Sequence, residues 1–473
     1  MKLTKAGLSC LLALGAGFAA APAMAKVSAE QAAQLGGDKY TCVGAEKAGT
    51  PEGVAAYTGK WLDSWPGMKD KRGYEPGPYA DEKPLFTITA QNMAQYADKL
   101  TDGQKALLKA YPDSFRMPVY PSHRDFRIPD WACEVVKKNA VTAEVLHDGL
   151  GTNGVTGAIP FPFPANGNEA VLNMTLPYRA WNETAVYDIA DVYSSGSISW
   201  GRQRLRTLSI AGDPNKRGTY QDQINSYFSN EEFLPPRDRG SVSVGWQPND
   251  FKNDHMQTWQ YNPGTRRVRQ APDIGFDYPI PPAGLRTIDD DYLFQGSPER
   301  FDWKIVGKKQ FYVPYNNFRS NDPSLKYKDI VKPNTVNPDY QRYELHRVWI
   351  VQATVKSGVR HIYKRKILYV DEDTWLSLWS EAYDSHDQLW RTSFIDYHYS
   401  AECECTHRGL PRPHRPCLRG HLPGQRGRPR QLVEAQRPRQ HPGPVQPQGT
   451  GQRRTLSAAP KPRRPHKEKG GEP

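Results

Sequence analysis

The sequence predicts a mainly β fold of the α+β class, built around antiparallel strands. Between residues 343 and 399, four segments rich in aromatic and β-branched residues follow one another, separated by the short stretches KSG, DED and DSHDQ. Strand-like segments joined by short polar turns are typical of an antiparallel meander. Earlier segments, among them SVSVGW and the two arms around an NPGT turn, extend the strand pattern back to about residue 131.

The first 25 residues have the pattern of a cleavable export signal. Lys2 and Lys5 precede a short apolar run, and an Ala-x-Ala motif ends at Ala25, after which cleavage is expected. The apolar run is shorter than the roughly 20 residues that a membrane-spanning helix needs. We therefore expect a mature chain that starts at residue 26, lacks a transmembrane segment and resides in the periplasm.

The mature chain is predicted to begin with an irregular wrap and then to form two helices. Residues 26–85 are rich in Gly, Lys and Pro. Apolar residues at i, i+3, i+4 and i+7 from Met93 predict one helix. Thr101 and Gln104 have the spacing of a capping box and predict the start of a second helix. The β-branched segment EVVKKNAVTAEVL, which follows Cys133, is interpreted as a strand.

Two cysteines, Cys42 and Cys133, precede residue 401 in the mature chain. Paired cysteines oxidise readily in an exported protein, so the sequence predicts a disulfide between them. Two unpaired buried thiols are the alternative. The bond requires Cα atoms within about 7 Å of each other.

The third segment of the meander carries large apolar groups on both faces. Strand alternation places Trp375, Trp379 and Tyr383 on one face, and Val348 and Ile350 share a face of the first segment. A strand with two apolar faces needs a covering layer on each side. We interpret these five residues as the lining of an apolar pocket between the sheet and the two predicted helices. An ordinary packed core is the alternative.

Catalytic and metal-binding motifs are scarce. The chain has no H-E-x-x-H or G-x-S-x-G motif, and the glycines of GTNGVTG lack the strand–loop–helix context of a phosphate-binding loop. The acidic runs 289–291 and 371–373 could ligate calcium, but the second lies in a predicted hairpin turn, where acidic side chains are usually solvated. We expect no catalytic residues, no cofactor and no metal site. A carboxylate pair contributed by distant parts of the chain is the alternative.

The composition changes abruptly after residue 400. Residues 401–473 hold 16 of the 63 Lys and Arg residues but 5 of the 51 Asp and Glu residues, so nearly all of the net charge of +12 comes from this end. Without it the chain is almost neutral, which argues against a nucleic-acid partner. The tail contains no Phe, Trp, Tyr, Ile, Met, Asn or Asp, and this composition predicts disorder from about residue 408.

Three explanations of the tail compete. A zinc site would use Cys and His side chains with C-x2-4-C and H-x3-5-H spacing, which the tail does not have. A basic nucleic-acid-binding arm would be expected to carry stacking aromatic residues. Translation of a GC-rich gene in a wrong frame explains the composition better, and it predicts a frameshift near residues 400–408 and a tail without evolved function. The tail residues considered as zinc ligands are Cys403, Cys405, His407, His414 and Cys417.

Four separate segments, in the same order along the chain, resemble the exported family called domain of unknown function 1329. They are GAIPFPFPANGNEAVLN, WQYNPGTRRVRQAP, FQGSPERFDWKIVGKKQFYVPYN and the stretch from YELHRVWIVQATVK to SEAYDSHDQLWR. This family is grouped with the LolA/LolB-like proteins of outer-membrane lipoprotein sorting. The resemblance implies that residues 26–407 form a large curved antiparallel sheet, an incomplete barrel wrapped over helices. It also implies that the last strands of the family are missing from this chain.

These observations predict a periplasmic, non-enzymatic carrier or accessory protein that binds a lipid or a lipoprotein acyl chain. An envelope transporter or an outer-membrane protein is the candidate partner. One alternative is a periplasmic hydrolase with a carboxylate or Ser/His site. Another is a structural envelope protein that presents exposed aromatic residues as an interaction surface. A lined cavity would favour the carrier, and a flat apolar patch would favour the structural protein.

Overall fold

A computed structural model describes residues 27–71, 76–193, 195–216, 224–271, 275–333 and 335–408, and the two short segments 419–423 and 430–435. The predicted export signal, residues 1–25, lies outside the described residues, as does most of the predicted disordered tail.

Strands dominate the described residues. The strands, in chain order, are β1 (Phe86–Ile88), β2 (Met117–Val119), β3 (Glu144–Leu146), β4 (Gly151–Asn153), β5 (Asn182–Tyr193), β6 (Ile198–Ser209), β7 (Ile224–Leu234), β8 (Val242–Pro248), β9 (Gln257–Asn262), β10 (Arg267–Gln270), β11 (Phe301–Pro314), β12 (Tyr343–Val355), β13 (Arg365–Asp371), β14 (Ser377–Tyr383), β15 (Leu389–Ile395), β16 (His398–Ser400), β17 (Cys405–His407), β18 (Arg419–Pro423) and β19 (Arg430–Ala435). The α-helices are α1 (Ala29–Ala33), α2 (Asp102–Ala110), α3 (Asp130–Thr142), α4 (Gly167–Thr175) and α5 (Tyr327–Ile330).

One 15-stranded sheet organises the fold. Its strand order is β1-β2-β12-β13-β14-β15-β18-β19-β5-β6-β7-β8-β9-β10, and β11 also pairs with β12. The pairings are antiparallel except for a parallel contact between β2 and β12. Among the described strands this order does not close on itself. The predicted mainly β fold with a large antiparallel sheet is confirmed.

The sheet contains two long meanders, which we call the first meander (β5–β10) and the second meander (β11–β15). The four strand segments predicted near the end of the chain are β12 to β15. The predicted NPGT turn joins β9 to β10. Short turns connect several neighbouring strands, such as β13 to β14 and β9 to β10, whereas residues 315–342 form a long connection between β11 and β12.

The predicted helical hairpin is present and packs on the second meander. Its first part is a 3-10 helix, Met93–Lys99. The second part is α2, and Thr101 is its N-cap. The Thr101 hydroxyl accepts a hydrogen bond from the Gln104 backbone N–H, and the Gln104 side chain accepts one from the Thr101 N–H. This capping box satisfies two backbone donors that the first helical turn would leave unpaired.

The strand predicted for EVVKKNAVTAEVL is wrong, because most of this segment belongs to helix α3. The buried residues of α3 follow helical spacing rather than alternation, and they include Val135, Val136 and Asn139. Asn139 donates from its side chain to the backbone oxygens of Thr156 and Ala158 at 2.9 and 3.0 Å. These tertiary contacts outweigh the preference of valine for strands.

A disulfide ties the N-terminal wrap to α3. Cys42 and Cys133 are bonded, with their Cα atoms 5.3 Å apart. A second disulfide, which the sequence did not predict, joins Cys403 to Cys405. Two of the cysteines considered as zinc ligands are therefore bonded to each other.

The tail contributes two described strands to the sheet. β18 pairs with β15, and β19 pairs with β5, so these two strands lie between the two meanders. For these segments the structure differs from the predicted disorder. For the rest of the tail, which lies outside the described residues, disorder and the frameshift stay predictions.

Candidate ligand-binding cavity

A cavity of about 400 Å³ opens on one face of strands β6 to β9. Pockets for small ligands typically measure about 300–1,000 Å³. The strands that form its wall belong to the first meander. None of the residues that line this cavity belongs to the helices near residues 89–111, where the sequence predicted a pocket.

Alternate residues of four neighbouring strands face the cavity. Leu205 of β6 lies opposite Asn230 of β7, which in turn lies opposite Ser243 of β8. Ser243 lies opposite Gln260 of β9. All four residues line the cavity. Short hydroxyl and amide side chains at these positions leave space that larger side chains would fill, and they also supply hydrogen-bonding groups.

The segment 278–295 covers the cavity from the other side. It supplies apolar groups, including Ile280 and Ile288. The Ile280 N–H donates to the Arg286 backbone oxygen, and the Ile288 N–H donates to the Tyr278 oxygen, so the segment folds back on itself. A mixed lining of this kind can contact both the apolar and the polar parts of a ligand.

The acidic run 289–291 anchors this covering segment to the second meander. Asp289 contacts His361 Nε2 at 2.9 Å, and Asp290 pairs with Lys366 Nζ at 2.9 Å. Asp290 also accepts a hydrogen bond from the Tyr363 hydroxyl at 2.8 Å. The first two aspartates are buried and paired with side chains of the chain itself. This structural role replaces the calcium site considered from the sequence.

One end of the cavity is charged. The guanidinium groups of Arg179 and Arg408 lie 4.4 and 3.8 Å from the centroid of the Tyr292 ring. Arg408 also contacts Asp291 at 3.1 Å. Arg408 is buried, one residue beyond the predicted end of the domain, and therefore belongs to the folded part of the chain.

Glu183 and His407 form a buried pair beside this charged end, 3.0 Å apart. Burial opposes ionisation of Glu183, but attraction and a hydrogen bond from His407 outweigh it and lower the pKa of Glu183 to about 2. The carboxylate is therefore ionised at neutral pH, and it compensates part of the positive charge of the neighbouring arginines.

Glu232, on β7, is an exception among the acidic residues of the cavity wall. Burial raises its pKa to about 7, and repulsion from Asp238 adds to the rise. A carboxyl group with such a pKa is partly protonated at neutral pH. It could donate a hydrogen bond to a ligand or exchange a proton with it.

The five residues predicted to line a pocket lie in the packed core of the second meander instead. None of them lines the cavity, and all belong to one hydrophobic cluster with at most 9% of their surface exposed. They are Val348, Ile350, Trp375, Trp379 and Tyr383.

Helix α2 packs closely on the second meander. The Gly103 N–H donates to Glu381 Oε1 at 2.5 Å, and a Cβ atom on Gly103 would lie 2.3 Å from Thr392 Oγ1. Trp379 stacks on Phe394 with ring centroids 5.2 Å apart. The alternative, an ordinary core, is therefore the correct interpretation of the two-faced strand.

Sequence reasoning missed the residues that do line the cavity because serine, threonine, asparagine and glutamine are unremarkable in a β protein. The sequence pattern that could have indicated the cavity is the alternation of polar and apolar residues in SVSVGW and in the segment of β6. It indicates a sheet with one face toward a polar or hydrated space.

The opposite face of the same strands is exposed. Tyr227 and Val244 are 40% and 43% exposed, and Trp246 lies 4.8 Å from Trp259 between ring centroids. Ser229 of β7 lies between Arg206 and Val244 in the register of this face.

The acidic turn 371–373, expected to be solvated, is buried. Asp371 and Glu372 are 0% and 2% exposed. Arg124 binds both oxygens of Asp373, from Nε at 2.7 Å and from Nη2 at 2.8 Å. Arg347 donates to Glu372 at 2.6 Å. Burial, together with repulsion from Asp373, raises the pKa of Asp371 to about 8.

Residues 87–409 match the family described as protein of unknown function, DUF1329, and this chain belongs to that family. It is similar to the uncharacterized protein PA3922 of Pseudomonas aeruginosa, with 41% identity over 400 residues, which cover 83% of this chain and 86% of the relative. The family resemblance noted in the sequence is confirmed.

Two solved structures match parts of this chain at low sequence identity. A putative outer membrane lipoprotein-sorting protein domain from Vibrio parahaemolyticus matches with a TM-score of 0.36 and 14% identity, over 57% of this chain and 89% of that one. The LolA superfamily protein NE2245 from Nitrosomonas europaea matches with a TM-score of 0.32 and 10% identity, over 59% and 96%. None of the described helices has the length and apolar character needed to cross a membrane.

Proposed function

We propose that this protein is a non-enzymatic carrier of the bacterial envelope that binds one amphiphilic, lipid-like molecule. The observation that carries the proposal is the cavity of about 400 Å³ on strands β6 to β9. It is large enough for a single small ligand, and its wall is formed by a regular sheet.

The lining of the cavity favours an amphiphile over a wholly apolar ligand. Leu205, Phe228, Met256, Ile280 and Ile288 offer apolar contacts for an acyl chain. Each buried methylene contributes about 0.8 kcal/mol, so a partly enclosed chain gives useful affinity. Hydroxyl, amide and guanidinium groups of the remaining wall offer hydrogen bonds to a polar head group.

The place of action and the partners belong to the same proposal. The export signal, cleaved after Ala25, would deliver residues 26–408 to the periplasm as the functional domain. There the protein would take a lipid or a lipoprotein acyl chain from one envelope component and pass it to another. An envelope transporter or an outer-membrane protein is the partner that this transfer requires.

The first test is chemical identification of the ligand. Full-length protein is purified from the periplasm, extracted with organic solvent, and the extract is analysed by mass spectrometry. We expect one lipid class in amounts comparable to the protein. Extracts that match those of an unrelated periplasmic protein would reject the carrier.

The second test blocks the cavity. Ser243→Trp places a large side chain on the cavity wall, whereas Ser229→Trp places the same side chain on the opposite face. Binding of a dansyl-labelled fatty acid, measured by fluorescence, should be lost in the first variant and kept in the second. Equal binding by both variants would place the ligand elsewhere.

A hydrolase is the second candidate, and the raised pKa of Glu232 in the cavity favours it. If Glu232 is a general acid, Glu232→Gln abolishes hydrolysis of ester or glycoside substrates by the purified protein. If the protein is a carrier, the wild type shows no hydrolysis, and the variant keeps the fatty-acid binding.

A further inference from the structure

Three potential metal ligands converge at the turn between β13 and β14. They are His346 of β12, Asp371 at the end of β13, and Asp373 in the turn, which we call the turn cluster. Each offers one ligand atom, and these atoms all lie within 4.8 Å of one another. None of the three residues lines the cavity on β6 to β9.

Two of these residues have a buried polar atom without a hydrogen-bond partner. Asp371 Oδ2 accepts from the hydroxyls of Tyr315 at 3.0 Å and Thr374 at 2.7 Å, whereas its Oδ1 has no partner among the described residues. His346 is 1% exposed, and its Nδ1 likewise lacks a partner there. A buried polar atom that is left unpaired destabilises the folded state, so two in one cluster need an explanation.

The neighbour of His346 determines which ring nitrogen carries the proton. His346 Nε2 lies 3.0 Å from Glu344 Oε2. Glu344 also accepts hydrogen bonds from Arg342 Nε and from the His123 backbone N–H, so its carboxylate is an acceptor here and His346 Nε2 donates to it. The lone pair of Nδ1 is then free. Carboxylate–histidine pairs of this kind orient the imidazole ligands of metal sites.

Lone pairs of the two aspartates in the turn cluster remain available to a cation, and Arg124 already balances the charge of Asp373. Arg124 occupies one side of Asp373 with two hydrogen bonds, but each carboxylate oxygen keeps a further lone pair. The side-chain hydrogen bonds of Asp371 come from neutral hydroxyl groups. When Asp371 is ionised, the atoms that converge here are acceptors, and a bound cation would then lie between them.

We propose that His346 Nδ1, Asp371 Oδ1 and one oxygen of Asp373 bind a divalent transition-metal ion, with Zn²⁺ as the best-matched ion. One imidazole and two carboxylates suit zinc-like ions better than calcium, which prefers oxygen ligands alone. A cavity of about 50 Å³ borders Asp371, Asp373 and Thr374. It provides space for a water molecule at a fourth coordination position.

The test measures metal binding by the full-length chain after treatment with a chelator. Zn²⁺ is titrated by calorimetry into the wild type and into the variants His346→Gln, Asp371→Asn and Asp396→Asn. Asp396 is an equally buried carboxyl group outside the turn cluster and serves as the matched control. We expect one bound ion in the wild type and the control, and binding at least about tenfold weaker in the other two variants.

A spectroscopic measurement on the wild type keeps the test decisive if a variant fails to fold. Mn²⁺ is added to chelator-treated protein, and pulsed electron paramagnetic resonance should detect nitrogen coupling from one coordinated imidazole. That coupling should disappear in folded His346→Gln. Absence of binding by the wild type, or a coupling unchanged in His346→Gln, would overturn the proposal.

Discussion

The two meanders of the sheet share an antiparallel architecture but differ in burial: the second forms a packed core, and the first borders a cavity. In the second meander all seven residues of β14 are buried, and β12 and β13 are nearly so. In the first meander the strands β6 to β9 are mostly half-buried, and one face borders a cavity. A strand with large apolar groups on both faces is therefore a sign of a filled core, whereas a cavity wall requires short side chains on one face.

The largest expected effect on stability comes from truncating one phenylalanine side chain in each meander. Phe394 of β15 is 3% exposed and stacks on Trp379, so Phe394→Ala should lower the free energy of unfolding by about 3–5 kcal/mol. Phe228 borders the cavity and has fewer packed neighbours to lose, so Phe228→Ala should cost less than half as much. Urea denaturation of the two variants measures the difference. Equal losses would mean that the first meander is packed like the second.

Two carboxyl groups with raised pKa values, the buried Asp396 and the half-buried Glu232, extend this comparison to pH. Burial raises the pKa of Asp396, which follows β15, well above the ordinary range of an aspartate, to about 7. Glu232 of the first meander has a similar raised pKa but borders the cavity. Since the folded state binds the proton more tightly, Asp396 should lower stability progressively as pH rises from about 4 through 7.

We expect Asp396→Asn to remove a loss of a few kcal/mol between pH 4 and pH 8, measured by urea denaturation at each pH. Glu232→Gln should remove a smaller pH-dependent loss of stability, because water in the cavity can solvate the ionised carboxylate. Identical pH profiles of wild type and Asp396→Asn would show that Asp396 ionises in the folded state without penalty.

The smallest predicted effect concerns the contact between α2 and the second meander. Gly103→Ala places a Cβ atom where Thr392 already lies and should cost about 1–3 kcal/mol. Gly307 of β11 has no atom within 4 Å of the corresponding position, so Gly307→Ala should change stability by less than about 0.5 kcal/mol. Thermal unfolding of both variants compares a closely packed layer with an open strand surface. A neutral Gly103→Ala would indicate that α2 can shift.

The parts of the fold that depend on local sequence were predictable. The turns of the second meander and the capping box at Thr101 are each specified by a few consecutive residues. α3 was mistaken for a strand because its valines favour strands, and its helical form depends on contacts of Asn139 with residues 17 and 19 positions away.

The sites were harder to predict because their determinants are distant in sequence. The acidic turn looked solvated, since its partner Arg124 lies 248 residues from Glu372 and 249 from Asp373. The cavity combines four strands with a covering segment that follows later in the chain, after β10. No pattern within a short window specifies such an assembly. Only the alternation of β6 and β8 pointed toward it.

The hydrogen bonds between the N-terminal wrap and the second meander have a consequence for the order of folding. Arg347 donates to the backbone oxygens of Ala48 and Glu46, which lie 299 and 301 positions earlier. A chain synthesised from its N-terminus exposes those oxygens, and the edge of β2, until β12 has been made. Contacts of such long sequence separation slow folding and prolong the time during which unpaired backbone is open to aggregation and proteolysis. A chain whose synthesis stops before β12 therefore lacks the strand that binds its N-terminal wrap and the edge of β2.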